Sequence, residues 1–274
     1  MKAIRWGVLS TANIARLVIE ANRGSEVTRF AAVASRDVAR AQRFAAELGL
    51  DASFGSYEAL LASDLVDAVY VALPVSMHTE WTVRALQAGK HVLCEKPFAT
   101  SPSDAARCFD AAEAAGRVVV EGFMWRHHPQ TLLARRLVTE GAIGRLSTVR
   151  AALSGEVLAL FDVGLDLTRR DQLELVGTGG RLTVPDPWVC RAGAVELETG
   201  GRTERLPADP DGVWGLSGEK ADAYRIEFDV VSAAVTAGDP TEFGRADAVD
   251  QAAVLEAVGR SAASGLPVEP SDAD

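Results

Sequence analysis

Long apolar runs, paired cysteines and basic stripes are all missing from this chain, and each absence removes a class of function. A membrane-spanning helix takes about 20 consecutive apolar residues, and no stretch of the 274 residues approaches that. Lys2 and Arg5 stand near the start, but Asn13 and Arg16 interrupt the apolar stretch after them, so it does not read as a secretory leader. Cys94, Cys108 and Cys190 are scattered with no CxxC pair, which fits a reducing compartment where thiols fill apolar space. The expected location is the cytoplasm. A net charge of -10 and a pI near 5.0 argue against a nucleic-acid surface, since phosphate backbones reward clustered Lys and Arg. An anionic ligand must then be held by a local device such as a helix N-terminus or one well-placed arginine.

With 48% hydrophobic and 24% charged residues the composition is that of an ordinary globular protein, long enough for two domains. Short, near-continuous apolar runs at 3–9, 30–34, 68–73, 91–95 and 118–122, and a weaker one at Ser53 and Phe54, alternate with helical patterns. Such runs suit strands covered on both faces, so residues 1–122 predict a doubly wound parallel sheet of Rossmann type. Asp37 and Gly49 bracket one helix, and Ser101–Pro102 and Gly116 another. From 123 to 274 the texture changes. A helix running to about Glu140 is followed by alternating segments joined by Gly and Pro, then by two closing helices near 224–237 and 246–263. The segment 172–187 reads as two strands around a Gly-rich turn, so 123–274 predicts an α+β domain with a mostly antiparallel, open sheet. Helices on one face of that sheet would leave an apolar face to cover, and a homo-oligomer built through it is the expected remedy.

The first strand runs into "GVLSTANIA" at 7–15, where a dinucleotide-binding fold carries its glycines. Ser10, Ala12 and Ala15 stand in their places. All are small, so backbone N–H groups of Ser10, Thr11, Ala12, Asn13 and Ile14 can still approach a pyrophosphate. The second strand ends on Ser35 and Arg36, where an NAD site would offer a carboxylate; Asp37 comes one position late and has a helix to cap. This pattern favours NADP over NAD, with Arg36 on the 2'-phosphate.

Taken together, "WGVLSTANIA", "VASRDVARAQRFA", "VYVALPVSMH", "AGKHVLCEKPFA", "GFMWRHHPQ" and "LELVGTGGRLTVPDPW" resemble the Gfo/Idh/MocA oxidoreductase family. The likeness is to its branch of glucose-fructose oxidoreductase, NADP-dependent xylose dehydrogenases and dihydrodiol dehydrogenase. The resemblance implies hydride transfer to or from a sugar, polyol or dihydrodiol. It implies that Glu95, Lys96 and Pro97 form a turn at the sheet's carboxyl edge, with Glu95 near the nicotinamide ribose and Lys96 the catalytic residue at the reacting oxygen. It also implies cofactor contacts from Leu73, Pro74, His78, Glu121, Trp125 and Arg126, and a substrate-pocket wall at His128. Val75 stands where the family usually has Asn. His127 and His128 are adjacent and diverge in direction with no third ligand suitably spaced, so no metal is expected.

One family element is absent. Members carry an Asp followed by a His or Tyr early in the second domain, opposite the lysine. Here "DVG" at 162–164 lies in an alternating stretch from Val157 to Leu167, with Leu165 soon after Asp162, so it reads as a strand and a whole strand-helix excursion is skipped. Two readings follow: an active enzyme relying on Lys96 with reduced help, or a catalytically silent dinucleotide binder.

Overall fold

The computed structural model describes residues 2–152, 171–214, 222–238 and 241–270. The chain forms two compact units, one of Met1–Phe123 with Phe228–Asp274 and one of Met124–Glu227.

The first unit is built on six parallel strands, β1 (Ile4–Leu9), β2 (Thr28–Ala34), β3 (Ala52–Phe54), β4 (Ala68–Val71), β5 (His91–Glu95) and β6 (Val119–Gly122). Their spatial order is β3-β2-β1-β4-β5-β6. Chain direction across the sheet reverses between β1 and β4, and that reversal opens a crevice at the carboxyl edge. The strands are joined through α1 (Asn13–Ala21), α2 (Val38–Leu48), α3 (Tyr57–Leu61), α4 (His78–Gln87) and α5 (Pro102–Ala115). Helix punctuation follows the sequence. The Asp37 side chain accepts from Arg40 N at 3.0 Å and Ser101 Oγ from Asp104 N at 3.2 Å, while Gly49 and Gly116 close their helices at φ 72° and 61°.

One sheet face, with Leu9, Val69, Val71, Val92 and Cys94, is buried in a cluster with Leu60 of α3, Trp81 of α4 and Ala105 of α5. The other face presents Trp6, Phe30 and Tyr70, and here the structure differs from a simple division at residue 122. The cover comes from the far end of the chain. Phe228, in α7 (Ala223–Ala237), meets the rings of Trp6, Phe30 and Tyr70 at 4.8, 5.1 and 5.3 Å, and Trp6 Nε1 donates to Ser232 Oγ at 3.0 Å. Ala248 and Ala252 of α8 (Arg245–Ser264) join the first core cluster beside α5. Residues 228–270 thus pack with the first unit, because aromatic surface on the sheet has to be withdrawn from water.

In the second unit, α6 (Pro129–Thr139) precedes β7 (Leu146–Ala152), β8 (Gln172–Gly177), β9 (Gly180–Pro185), β10 (Ala194–Thr199) and β11 (Arg202–Pro207). These five form an antiparallel sheet in the order β11-β10-β9-β8-β7. Leu133 and Ala134 of α6 bury against Leu182, Val184 and Val195. At the β8–β9 turn a Cβ on Gly177 would lie 2.1 Å from the Ile143 carbonyl oxygen, so only glycine fits. The opposite sheet face corrects one expectation. Among the described residues it is charged rather than apolar: Arg181 reaches Glu174 at 3.3 Å and Glu198 at 2.5 Å, and Glu196 pairs across from Thr183 on the same face. The stretch 156–167, with Asp162, lies outside the described residues. Among the described residues no helix is long and apolar enough to cross a membrane.

Candidate active site

Because all six strands of the first unit run the same way, the segments that follow them share one edge of the sheet. Ser35 and Arg36 follow β2, Ser10 to Ile14 follow β1, Leu73 and Pro74 follow β4 closely, and Lys96 follows β5 directly. From β2 to β5 is three strand spacings, about 14 Å, which is the span a dinucleotide laid across the reversal has to cover.

The turn after β1 is shaped for close backbone approach. Ser10 adopts φ 144°, its N–H donates to Ala34 O at 3.2 Å, and its Oγ accepts from Ala12 N at 3.0 Å. Ala12 caps α1 with no side-chain hydrogen bond, so the free N–H groups of the first turn keep their capacity for an anion. Ala15 is fully buried, where a small residue lets helix and strand pack tightly. Ser10 thus holds a backbone setting that suits glycine, at a cost of about 1–3 kcal/mol. Ser10→Gly removes that strain against about 1 kcal/mol for the lost Oγ bond. The variant is expected to melt no lower than the parent in a thermal denaturation series, and a fall of several degrees would refute the strain.

At the end of β2, Ser35 is buried and its Oγ accepts from Asp37 N at 3.2 Å. Arg36 is exposed and has no ion-pair partner among the described residues. The Asp37 carboxyl is held below its ordinary range chiefly by the backbone N–H of Arg40, so this acid is committed to its helix.

The loop after β5 is fixed from several sides. Lys96–Pro97 is a cis peptide. Glu95 Oε1 accepts from Tyr70 Oη at 2.5 Å and its Oε2 from Lys96 N at 3.1 Å. Phe98 N donates to Glu121 Oε1 at 2.9 Å, and Gln251 Nε2 of α8 donates to the same oxygen at 3.1 Å. His78, 1% exposed, turns one ring nitrogen to Pro97 O at 2.9 Å and the other to Leu73 O at 2.7 Å. The Lys96 side chain itself projects outward, exposed and with no side-chain partner among the described residues. Next to it Cys94 is fully buried, and burial pushes its thiol well above the ordinary value, which leaves it inert.

His78 and Glu121 are buried struts whose ring or carboxylate is engaged with the Leu73–Pro97 and Phe98 backbone, as buried polar groups require.

Comparison with known proteins agrees with this arrangement. The profile of the oxidoreductase family with an NAD-binding Rossmann fold, GFO_IDH_MocA, matches residues 4–123. The chain is 33% identical to a D-xylose 1-dehydrogenase (NADP(+)) of Haloferax volcanii, over 96% of this chain and 99% of the relative. It belongs to the Gfo/Idh/MocA family. A solved 3-ketoreductase from Actinomadura kijaniata, in complex with NADP and TDP-benzene, superposes with a TM-score of 0.79 at 26% identity, over 94% of this chain and 97% of that one. Against the xylose dehydrogenase the alignment runs over 324 positions, so at least 50 positions of that Gfo/Idh/MocA member have no counterpart in these 274 residues. The skipped excursion is consistent with that difference.

The remaining expected residues lie in the second unit of this Gfo/Idh/MocA protein. The guanidinium of Arg126 sits 5.7 Å over the Trp125 ring, which Trp188 meets edge-on at 5.7 Å. His128, expected as a pocket wall, is fully buried and caps α6: its Nδ1 accepts from Gln130 N at 3.1 Å. Burial lowers its pKa to about 4, with Asp209 opposing. His91, at the amino edge of the sheet, is likewise lowered to about 4 by burial and by Arg117. Among the described residues no group of three or more His, Cys, Asp or Glu is arranged for a metal ion.

A histidine kept neutral by the fold protonates more readily in the unfolded chain, whose pKa is about 6.5. The unfolded state therefore binds more protons between pH 6.5 and 4, and stability falls as pH drops through that window. For His128 the loss between pH 7 and 5 is about 2 kcal/mol. In urea titrations His128→Asn, which keeps a capping side chain without the titration, is expected to show a correspondingly flatter pH dependence; an unchanged slope would contradict the assignment.

Sequence reasoning missed Tyr70 and Gln251. A hydroxyl inside the aliphatic run "AVYVAL" was the available signal, since a buried O–H needs a partner. Gln251 gave none, because only folding brings α8 to β6.

Proposed function

We propose that this protein is an NADP-dependent oxidoreductase that moves a hydride between the cofactor and a CH–OH or carbonyl carbon of a sugar or polyol. The observation carrying the reading is the exposed Lys96 amine at the carboxyl edge of β5, on the same edge as the small-residue turn at Ser10 and the exposed Arg36. The D-xylose 1-dehydrogenase (NADP(+)) and the 3-ketoreductase in complex with NADP, to which the chain is similar, support it.

The residues present fit the cofactor. Free N–H groups at the start of α1 suit a pyrophosphate, and Arg36 suits a 2'-phosphate, with Ser35 beside it. NADP, when bound, supplies the two-electron hydride chemistry. Lys96 as the neutral amine takes the proton of the substrate hydroxyl during oxidation, and as the ammonium returns it during reduction. Glu95, tied to Tyr70, bounds the position of the reacting end of the cofactor. Leu73 and Pro74 border the same edge, with Trp125 and Arg126 assigned as further cofactor contacts by resemblance. His128, assigned to the substrate pocket by resemblance, also caps α6 through its Nδ1.

The test is a spectrophotometric panel of aldoses, polyols and dihydrodiols with NADP+ and NAD+, alongside calorimetric titration of NADPH. Turnover with NADP+ that disappears in Lys96→Ala supports the reading. Tight NADPH binding with no turnover anywhere in the panel would refute it in favour of a silent binder.

A further inference from the structure

Tyr70 lies at the centre of β4, 1% exposed, in a strand whose other residues are aliphatic. Its register explains its reach. Tyr70 is directly opposite Leu93 on β5, and Glu95 is two residues further along, on the same face. That diagonal neighbour is about 7–8 Å away between backbones, within range of a tyrosine ring. Packing alone does not call for the hydroxyl. The Tyr70 ring meets Phe228 edge-on at 5.3 Å, a contact a phenylalanine makes equally well without burying an O–H. Among the contacts to described residues, the hydroxyl adds the 2.5 Å bond to Glu95 Oε1.

This bond decides which way the carboxylate faces. With Oε1 on Tyr70 and Oε2 on the Lys96 backbone N–H, both oxygens of Glu95 are turned to donors other than the Lys96 ammonium. Released from Tyr70, Glu95 would have a cation one residue away as its nearest strong partner, and an ion pair there would hold Lys96 off its substrate. Building on the proposed function, we infer that Tyr70 is a positioning residue: its hydroxyl fixes Glu95 so that the neighbouring lysine amine stays free to serve the reacting oxygen.

The experiment compares Tyr70→Phe with the parent by two readouts. Turnover is followed with whichever sugar or polyol the parent oxidises, and NADPH affinity is measured beside it. The chain has four lysines, Lys2, Lys90, Lys96 and Lys220, so reductive 13C-methylation gives a spectrum in which Lys96 is assigned by its absence in Lys96→Arg. The expected result is a kcat about tenfold lower with KM and NADPH affinity within twofold, and a displaced Lys96 resonance beside unmoved Lys2 and Lys90 signals. An unmoved Lys96 resonance overturns the inference whether or not turnover is found, as does a moved resonance with unchanged kcat. A lowered melting temperature alone shows a packing role and overturns it too. If the parent turns over nothing, the functional reading fails on its own, while a displaced resonance still upholds the placement of Glu95 by Tyr70. Glu95→Gln probes the same pair from the other side if Tyr70→Phe folds poorly: displacement of the Lys96 resonance is expected there too, and its absence counts against the inference.

Discussion

Lys96→Ala is expected to lower kcat/KM by about 10²- to 10⁴-fold, the usual worth of a positioned acid-base group, while NADPH binding changes little. The split follows from geometry. The Lys96 side chain makes no hydrogen bond or ion pair among the described residues, so removing it leaves the loop's supports in place: Tyr70 on Glu95, Glu121 on Phe98, and His78 between Leu73 and Pro97. Stability should therefore hold within about 0.5 kcal/mol. Stopped-flow reduction of NADP+ with saturating substrate would separate chemistry from release. A variant retaining more than a tenth of the parent rate would remove Lys96 from the acid-base role.

Arg36→Ala is expected to weaken NADPH binding about 10- to 100-fold, corresponding to about 1.5–3 kcal/mol for a hydrogen bond between charged groups, and to leave NADH affinity nearly unchanged. The basis is that Arg36 is exposed at the end of β2 with no ion-pair partner among the described residues, while Asp37, the adjacent acid, is held by the Arg40 N–H at the start of α2. Among the described residues its guanidinium therefore has no ion pair whose loss would confuse the result. Calorimetric titration of both nucleotides decides it, and equal losses for NADPH and NADH would show that Arg36 does not read the 2'-phosphate.

The two predictions rest on features of different legibility. Apolar runs bounded by Asp37, Gly49, Ser101, Pro102 and Gly116 announce the elements of the parallel sheet, because a strand covered on both faces has no choice but to be apolar and a helix end has to satisfy its own backbone. The small residues Ser10, Ala12 and Ala15 announce a tight strand-to-helix turn, and the succession Glu95, Lys96, Pro97 announces the end of β5. Those signals are local, and the structure bears out the Rossmann sheet and the antiparallel second sheet they imply.

Other features depend on residues far apart in the chain. Whether the second sheet's open face is apolar could not be read from alternation alone; pairing register sets Glu174, Arg181 and Glu198 side by side and makes that face charged. That His78 and Glu121 also brace the loop after β5 is decided by burial, since a buried ring or carboxylate must meet its nearest backbone donors and acceptors.

By itself, then, the sequence determined the parallel sheet, the position of the amine at its carboxyl edge and the arginine at the end of β2, because each is written in neighbouring residues. Tertiary structure alone decided that Phe228 and Gln251 return to the first unit, and that the Tyr70 hydroxyl engages Glu95. Those contacts join positions 25 to more than 200 residues apart, and the order of strands in space, which brings them together, is a property of the packed sheet.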